Sequence, residues 1–291
     1  MNWITVILAS GFFFSLNHII RKKILAHVNV LDMMIFTGSF GFLILLPFIK
    51  YVNLSICPVD LFFILVNAVF AYGGSYKLNT VYKRCEISTV SPLLNFNPIF
   101  VILLSWFILG EVLNSKQILG IFFILAGGYI ITLDNIIFFY RPFTSISPKD
   151  FFNILITLVL WSFCPVINKI LLSKIDTFSY LFFFAMFIFL IQMGLMLATN
   201  RFQAVLYAIQ KKWLLLITAS LCWIISDALH LYAVAIPAAM VSLLIPVKRI
   251  SNLMTVVIGG RLFEEKKLFI KSTACAVMLI GLFVIGIYSH R

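Results

Sequence analysis

Apolar runs long enough to cross a membrane recur along the whole chain, and short charged or proline-containing connections separate them. A helix needs about 20 residues to cross the hydrocarbon core of a bilayer. The runs do not alternate with a period of two residues, which argues against β-barrel strands. The predicted fold class is therefore an all-α integral membrane protein with ten transmembrane helices, over residues 2–20, 31–50, 59–80, 87–109, 117–134, 151–172, 177–199, 213–234, 238–260 and 268–288.

A polar, proline-containing stretch near the middle of the chain divides the predicted helices into two groups of five. We expect a first five-helix repeat at 1–138, a connecting loop at 139–150 and a second repeat at 151–291. A shift of 154 residues places Ser88 on Ser242, Pro92 on Pro246, Glu111 on Glu265, Leu125 on Leu279 and Gly127 on Gly281. Because five is an odd number, the second repeat must enter the membrane in the opposite orientation. This inverted-repeat plan is common among secondary transporters.

The composition supports a membrane protein and excludes several other classes. Of 291 residues, 63% are hydrophobic and only 11% are charged, which leaves too little polar surface for a water-soluble protein. We expect a multi-pass protein of the cell membrane, which is the inner membrane where there are two. The net charge of +12 comes from short basic clusters between apolar runs, so no nucleic-acid partner is expected. The five cysteines form no C-x-x-C pair, and neither a metal site nor a cofactor is predicted.

Two adjacent basic residues, Lys248 and Arg249, lie in the middle of the ninth predicted helix. An ionisable residue at such a depth costs about 2.5–3.5 kcal/mol, so it normally faces a protein interior or a watery cavity. The shift of 154 residues places Asn95 on Arg249. Two polar stripes are expected to face one cavity: Ser88, Ser91 and Asn95 on the fourth helix, and Ser242, Arg249 and Asn252 on the ninth, with Lys248 and Ser251 beside them.

The Lys248 and Arg249 pair suits an anionic group, because a guanidinium offers a planar fork to carboxylate or phosphate and an ammonium adds a point charge. The alternative is a structural ion pair with Asp227, but one carboxylate leaves a surplus of positive charge. We expect Asp227 to pair with one of the two cations. Asp227 and His230 lie one turn apart on the eighth helix and are either a proton-coupling pair or a hydrogen-bonded packing pair.

Further polar residues on the first, third and sixth helices are candidates to line the transport path. The substrate-binding residues predicted from these helices are Tyr76 and Asn79, which share a face of the third helix, and Asn17 on the first. Weaker candidates are His18, Tyr72, Lys77, Asn168 and Lys169. By contrast, Glu111 and Glu265 fall in turns, and Glu111 is predicted to cap the start of the fifth helix.

The segments Pro92-Leu-Leu-Asn-Phe-Asn-Pro98 and Leu109-Gly110-Glu111, followed by Gly120 and Gly127-Gly128, resemble the EamA-type repeat of the drug/metabolite transporter superfamily. The second copy is weaker, with Glu264-Glu265 where Gly-Glu is expected. Its Pro246-Val-Lys-Arg-Ile-Ser251 segment looks like the Lys-Arg pair in the ninth helix of sugar-phosphate and nucleotide-sugar transporters. The resemblance implies a ten-helix carrier with a central cavity that works by alternating access. It does not imply a substrate.

The function predicted is secondary transport of a small polar, anionic metabolite that bears a carboxylate or a phosphate. The alternatives are an exporter of amino acids or cationic drugs, and a flippase for a lipid-linked substrate. A membrane-embedded enzyme is less favoured, because no nucleophile motif, metal-ligand cluster or pair of acids supports catalysis. The expected partners are the small-molecule substrate and the lipid bilayer, and the chain is expected to be a monomer or a homodimer.

Overall fold

The computed structural model describes residues 2–85, 90, 93–130, 146–251 and 268–288. These residues form helices, connected by turns and short loops, and contain no strand. The helices are α1 (Trp3–Leu25), α2 (Val30–Leu45), α3 (Pro58–Arg84), α4 (Asn97–Leu104), α5 (Ser115–Ile130), α6 (Pro148–Leu172), α7 (Thr177–Ala198), α8 (Phe202–Ala235), α9 (Val241–Lys248) and α10 (Leu268–Tyr288). The predicted all-α class is confirmed for this part of the chain.

Among the described residues, six helical segments are long and apolar enough to cross a membrane: α1, α2 with its 3-10 extension to Tyr51, α3, α6, α7 and α8. The helix α4 is shorter and continues as one turn of π-helix to Leu109. One clear difference from the predicted ranges is in α8, which begins 11 residues before the predicted start, at Phe202 rather than at 213. A kink at Lys212, with φ −142° and ψ 27°, joins the added segment to the predicted span.

The fourth and ninth helices are interrupted by turns at equivalent positions. In the fourth, residues 93–94 are helical, Asn95 and Phe96 form a turn, and α4 then starts at Asn97. In the ninth, α9 ends at Lys248, and Arg249 and Ile250 form the turn. The predicted shift of 154 residues places residues 95–96 on residues 249–250.

A proline lies close to each of the two turns. Pro98 is the second residue of α4 and has no N–H to donate to a carbonyl one turn earlier. Pro246 lies inside α9, and the Arg249 N–H that follows is shared between the carbonyls of Ile245, at 3.3 Å, and Pro246, at 3.0 Å. Such sharing tightens the last turn of a helix and is common at helix ends.

The predicted repeats make α1 correspond to α6, α2 to α7, α3 to α8, α4 to α9 and α5 to α10. The contacts between helices follow this correspondence. The contacts of α1 with α8 correspond to those of α6 with α3, and the contacts of α1 with α9 correspond to those of α6 with α4. The pairs α2 with α7, α4 with α9 and α5 with α10 are each their own equivalents. Close approach of α5 and α10 depends on Gly120 and Gly281, since a Cβ on Gly281 would lie 2.5 Å from the Gly120 carbonyl oxygen.

Two lysines hold the carboxyl ends of α3 and α8 in the same way. The Nζ of Lys22, on α1, donates to the carbonyl oxygens of Tyr82 and Cys85 at 2.6 and 2.9 Å. The Nζ of Lys169, on α6, donates to the carbonyl oxygens of Val234, Ile236 and Ala239 at 2.8–3.0 Å. The 154-residue shift carries Tyr82 onto Ile236 and Cys85 onto Ala239. Each ammonium therefore satisfies carbonyls that the end of a helix leaves free.

Candidate substrate-binding cavity

A cavity of about 190 Å³ lies among the helices of both halves. This volume is far above the roughly 10–15 Å³ that one water molecule needs. On α1 the lining residues are Phe14, Asn17, His18 and Arg21, and on α6 they are Trp161, Cys164, Pro165 and Asn168. Each set has the spacing i, i+3, i+4, i+7, which places all four residues on one helix face. The α8 helix presents Trp223, Ser226, Asp227 and His230 with the same spacing.

The predicted cation pair lies at the cavity, at the carboxyl end of α9. The Arg249 side chain is buried and donates from Nη2 to Oδ1 of Asn97 at 2.9 Å. The Lys248 ammonium lies 4.8 Å from the centre of the Phe14 ring, within the range of a cation–π contact. Basic groups at the carboxyl end of a helix also interact favourably with its dipole. The interruption of the ninth helix therefore helps to hold two cations inside the membrane.

Close packing against the interrupted ninth helix fixes the position of α1. A Cβ on Gly11 would come within 2.8 Å of the Ser251 Cβ and 3.1 Å of the Lys248 carbonyl oxygen, so only glycine fits there without a shift. One turn further along α1, the Ser15 hydroxyl donates to the Ser251 carbonyl at 2.8 Å. These contacts bring the face of α1 that carries Asn17 and Arg21 to the cavity.

A third basic residue, Arg21, also lines the cavity. Sequence reasoning missed it because it follows the predicted end of the first helix, beside Lys22 and Lys23, and so looked like part of a basic connection. In the structure α1 continues to Leu25, and Arg21 lies on the same face as Phe14 and Asn17. The signal was its position seven residues after Phe14, which is two helical turns.

One acidic residue, Asp227, is among the described residues that line the cavity. The prediction that it forms an ion pair with Lys248 or Arg249 is wrong for this structure, since neither cation lies within 4.0 Å of its carboxylate. Asp227 interacts electrostatically with Lys248 and Arg21 over longer distances. The physical reason is that Lys248 packs over the Phe14 ring and Arg249 is bonded to Asn97, so neither needs the carboxylate as a contact partner.

A second polar cluster lines the cavity from α3, α6 and α7. The Nδ2 of Asn67 donates to Oδ1 of Asn168 at 2.7 Å and to the Tyr180 hydroxyl at 2.6 Å, and that hydroxyl donates to Oδ1 of Asn168 at 2.7 Å. Gln192 lies three turns after Tyr180 on α7 and is 3% exposed. Its amide occupies the space that a Cβ on Gly38 of α2 would fill. We call Asn67, Asn168, Tyr180 and Gln192 the amide cluster.

Several buried polar atoms of the cavity have no hydrogen-bond partner in the part of the chain that the structure describes. They are His18 Nδ1, Arg21 Nε, Asn67 Oδ1, Tyr72 OH, Gln192 Oε1 and His230 Nδ1. A buried polar group without a partner costs about 1–3 kcal/mol. So many at one cavity indicate that water or a polar ligand completes their hydrogen bonds. Within the same described ranges, no group of three or more His, Cys, Asp or Glu side chains could hold a metal ion.

The other predicted site residues divide into those that reach the cavity and those that do not. Asn17, Asp227 and His230 line it, and the Asn17 Nδ2 also donates to the Ala219 carbonyl at 2.7 Å. Of the weaker candidates, His18, Tyr72 and Asn168 line it as well. Asn252, Ser88, Ser91 and Glu265 lie outside the described residues.

Four predicted substrate-binding residues are buried or packed away from the cavity. Asn95 donates to the Gly128 carbonyl at 2.6 Å and so joins the fourth helix to α5, and its place at the cavity is taken by Asn97. Tyr76 packs against the core around α1, α3 and α6. Asn79 and Ser242 are each 1% exposed and are not among the lining residues. The turn at residues 95–96 changes the helical register, which is why Asn97 rather than Asn95 lines the cavity.

The prediction that Glu111 caps the start of α5 is also wrong. Its two carboxylate oxygens accept the backbone N–H groups of Val241 and Ser242, at 2.7 and 2.8 Å, at the start of α9. The start of α5 has a cap of its own, in which Asn114 and Gln117 exchange backbone-to-side-chain hydrogen bonds. Met240, the residue before α9, provides no side-chain cap, so the carboxylate of the other half supplies it.

Residues 1–133 match the EamA-like transporter family. The EamA-like match covers the helices that carry Asn17, Arg21, Asn67 and Asn97. Together with the six long apolar helices, it indicates a multi-pass integral membrane transporter.

Among solved structures, one crystal structure of a protein is similar to this chain, with a TM-score of 0.72 at 14% sequence identity. The aligned region covers 99% of this chain and 98% of the chain in that structure. At that identity the likeness concerns the fold alone. Among curated proteins, none matches the sequence.

Proposed function

We propose that this chain is a secondary transporter that carries a small anionic metabolite, bearing a carboxylate or a phosphate, across the membrane by alternating access. The observation that carries the proposal is the charge of the cavity. Arg21, Lys248 and Arg249 line it, whereas Asp227 is the one acid among its described lining residues. Basic groups held away from bulk water attract an anion and are neutralised by it.

An inverted repeat of the whole chain, extending the EamA-like match into the second half, is part of this proposal. Three observations support it: the equivalent turns at 95–96 and 249–250, the exchange of helix pairs between the halves, and the equivalent roles of Lys22 and Lys169. Secondary transporters of this plan bind substrates at interrupted helices near the repeat interface. The turn that carries Arg249 is such an interruption.

The proposal is tested by exchange of labelled solutes in proteoliposomes. The purified chain is reconstituted with unlabelled glycerol phosphate or citrate inside, and the entry of the same labelled anion is followed. We expect exchange that saturates with concentration, competition by other small anions, and no competition by neutral analogues. Arg249→Ala should remove the exchange, and Lys23→Ala, a change of an exposed basic residue on α1, should leave it. Equal exchange by wild type and Arg249→Ala would contradict the proposal.

A second candidate function is export of amino acids or cationic drugs. The observation that favours it is Asp227, which lines the same cavity as the aromatic side chains of Trp161 and Trp223. A carboxylate beside aromatic rings is a suitable site for an organic cation. In the exchange assay this function predicts uptake of a labelled cation that is lost in Asp227→Asn and retained in Arg249→Ala. The opposite dependence supports the anion.

A further inference from the structure

The amide cluster has a geometry that the binding of an anion does not explain. Asn67, Asn168, Tyr180 and Gln192 are all 5% exposed or less, and all line the cavity. They carry no formal charge. They belong to α3, α6 and α7, whereas Arg21, Lys248 and Arg249 lie on α1 and at the end of α9. The cavity therefore presents a cationic wall and, on different helices, a neutral wall rich in amides.

Hydrogen bonds within the amide cluster use the donors of Asn67 and Tyr180 and leave two acceptor oxygens free among the described residues. Both bonds that the Asn67 amide donates go to Asn168 and Tyr180, and the Tyr180 hydroxyl donates to Asn168. The Oδ1 of Asn67 is left buried without a partner among the described residues, and so is the Oε1 of Gln192. Two buried carbonyl-type oxygens at one cavity favour a ligand group that donates hydrogen bonds.

We infer that the substrate is a hydroxylated anion, with its carboxylate or phosphate at the cationic wall and its hydroxyl groups at the amide cluster. This inference rests on the proposed transport of an anion and specifies the rest of the molecule. A hydroxyl both donates to the free oxygens and stays neutral. An ammonium group would also donate, but three cations against one carboxylate repel it from this cavity.

Gln192 offers a clean variant for the test. In the described part of the chain its side chain makes no hydrogen bond, because its Oε1 lacks a partner and no bond from its Nε2 is formed. Gln192→Leu therefore removes the amide at nearly constant volume and breaks no hydrogen bond among the described residues. The matched control is Ser39→Ala on α2, which removes another buried oxygen without a partner, at a position that does not line the cavity.

The experiment measures the affinity of the purified full chain, by calorimetry in detergent, for two anions that differ only in their hydroxyls. Glycerol 3-phosphate and propyl phosphate have the same charged group and the same carbon chain. We expect wild type and Ser39→Ala to prefer glycerol phosphate by about tenfold or more, because a site built to bond hydroxyls rejects analogues that lack them. Gln192→Leu should reduce that preference severalfold and leave the affinity for propyl phosphate within about twofold.

The possible outcomes separate this inference from the proposed function. Equal binding of both phosphates by wild type would overturn the hydroxylated substrate and leave anion transport standing. A preference that survives in Gln192→Leu would overturn the role of the amide cluster. Tighter binding of phosphoethanolamine than of glycerol phosphate would overturn it in favour of an amine. Binding of no anion at all, with Arg249→Ala equal to wild type, would contradict the proposed function itself.

Discussion

The guanidinium of Arg249 donates a hydrogen bond to Oδ1 of Asn97, 2.9 Å away, and so joins the interruption of the ninth helix to that of the fourth. Asn97 is the first residue of α4, and Arg249 is the first residue after α9. The bond crosses from the half that matches the EamA-like family to the other half. A substrate anion at Arg249 would therefore act directly on the junction between the halves.

Replacing Arg249 tests this junction. Arg249→Lys keeps the charge but loses the planar fork and the present bond to Asn97, so anion affinity should fall about tenfold or more. Arg249→Ala should lose about 2–5 kcal/mol of binding free energy if the anion is desolvated in the cavity. Calorimetric titration of each purified variant with glycerol phosphate measures both values. An unchanged affinity in Arg249→Lys would show that charge alone is recognised.

Replacing Asp227 distinguishes the two candidate functions. Since Asp227 forms no ion pair within 4.0 Å in the described part of the chain, Asp227→Asn should leave the thermal unfolding temperature close to that of wild type. Removing the one described acid of the cavity should strengthen anion binding severalfold, because its charge repels the ligand. Titration with the same anion measures the change. Weaker anion binding in this variant would mean that Asp227 orients the cations.

Glu111 should stabilise the protein through the start of α9. Glu111→Ala removes both acceptors and should lower the free energy of unfolding by about 1–2 kcal/mol, the usual range for loss of a helix cap. Glu111→Gln keeps one acceptor and should lose less. Thermal unfolding in detergent compares the stability of wild type, Glu111→Gln and Glu111→Ala. The control is Lys174→Gln, which removes an exposed ion pair with Asp60 and should have little effect.

Lys22 and Lys169 should have parallel roles. Replacing either by methionine leaves carbonyl oxygens at the end of α3 or α8 without their charged donor, which should cost about 1.5–3 kcal/mol of stability each. Hydrogen exchange should speed up around residues 82–85 in the first variant and 234–239 in the second. Lys23→Met, a change of the exposed neighbour of Lys22, is the control. Fast exchange at both places in both variants would argue against separate local clamps.

The helical class and the cation pair could be read from the sequence because both depend on local composition. A run of about 20 apolar residues has few alternatives to a membrane helix, and Lys248 and Arg249 stand out within one. The end of α1 was predicted less accurately, because the helix continues through the basic residues 21–23. Arg21 was lost from the predicted site for that reason.

Contacts between the halves could not be predicted from the sequence pattern, because they depend on backbone geometry at the interrupted helices. The turn at residues 95–96 directs Asn95 to the Gly128 carbonyl and brings Asn97 to the cavity. Glu111 follows Gly110, which has a left-handed φ of 67°, and the chain direction after that residue decides which helix start the carboxylate meets. Neither result follows from helical periodicity.

The cap that Glu111 gives to α9 also bears on how the chain is assembled during synthesis. Glu111 emerges from the ribosome 130 residues before Val241. The Glu111 carboxylate is therefore synthesised before the N–H groups that it accepts. When α9 is inserted, its own preceding residue offers no cap, and its amino end is completed only by docking against the earlier half. The second half produced alone should therefore be less stable, and expressing the two halves as separate polypeptides in one membrane should restore it.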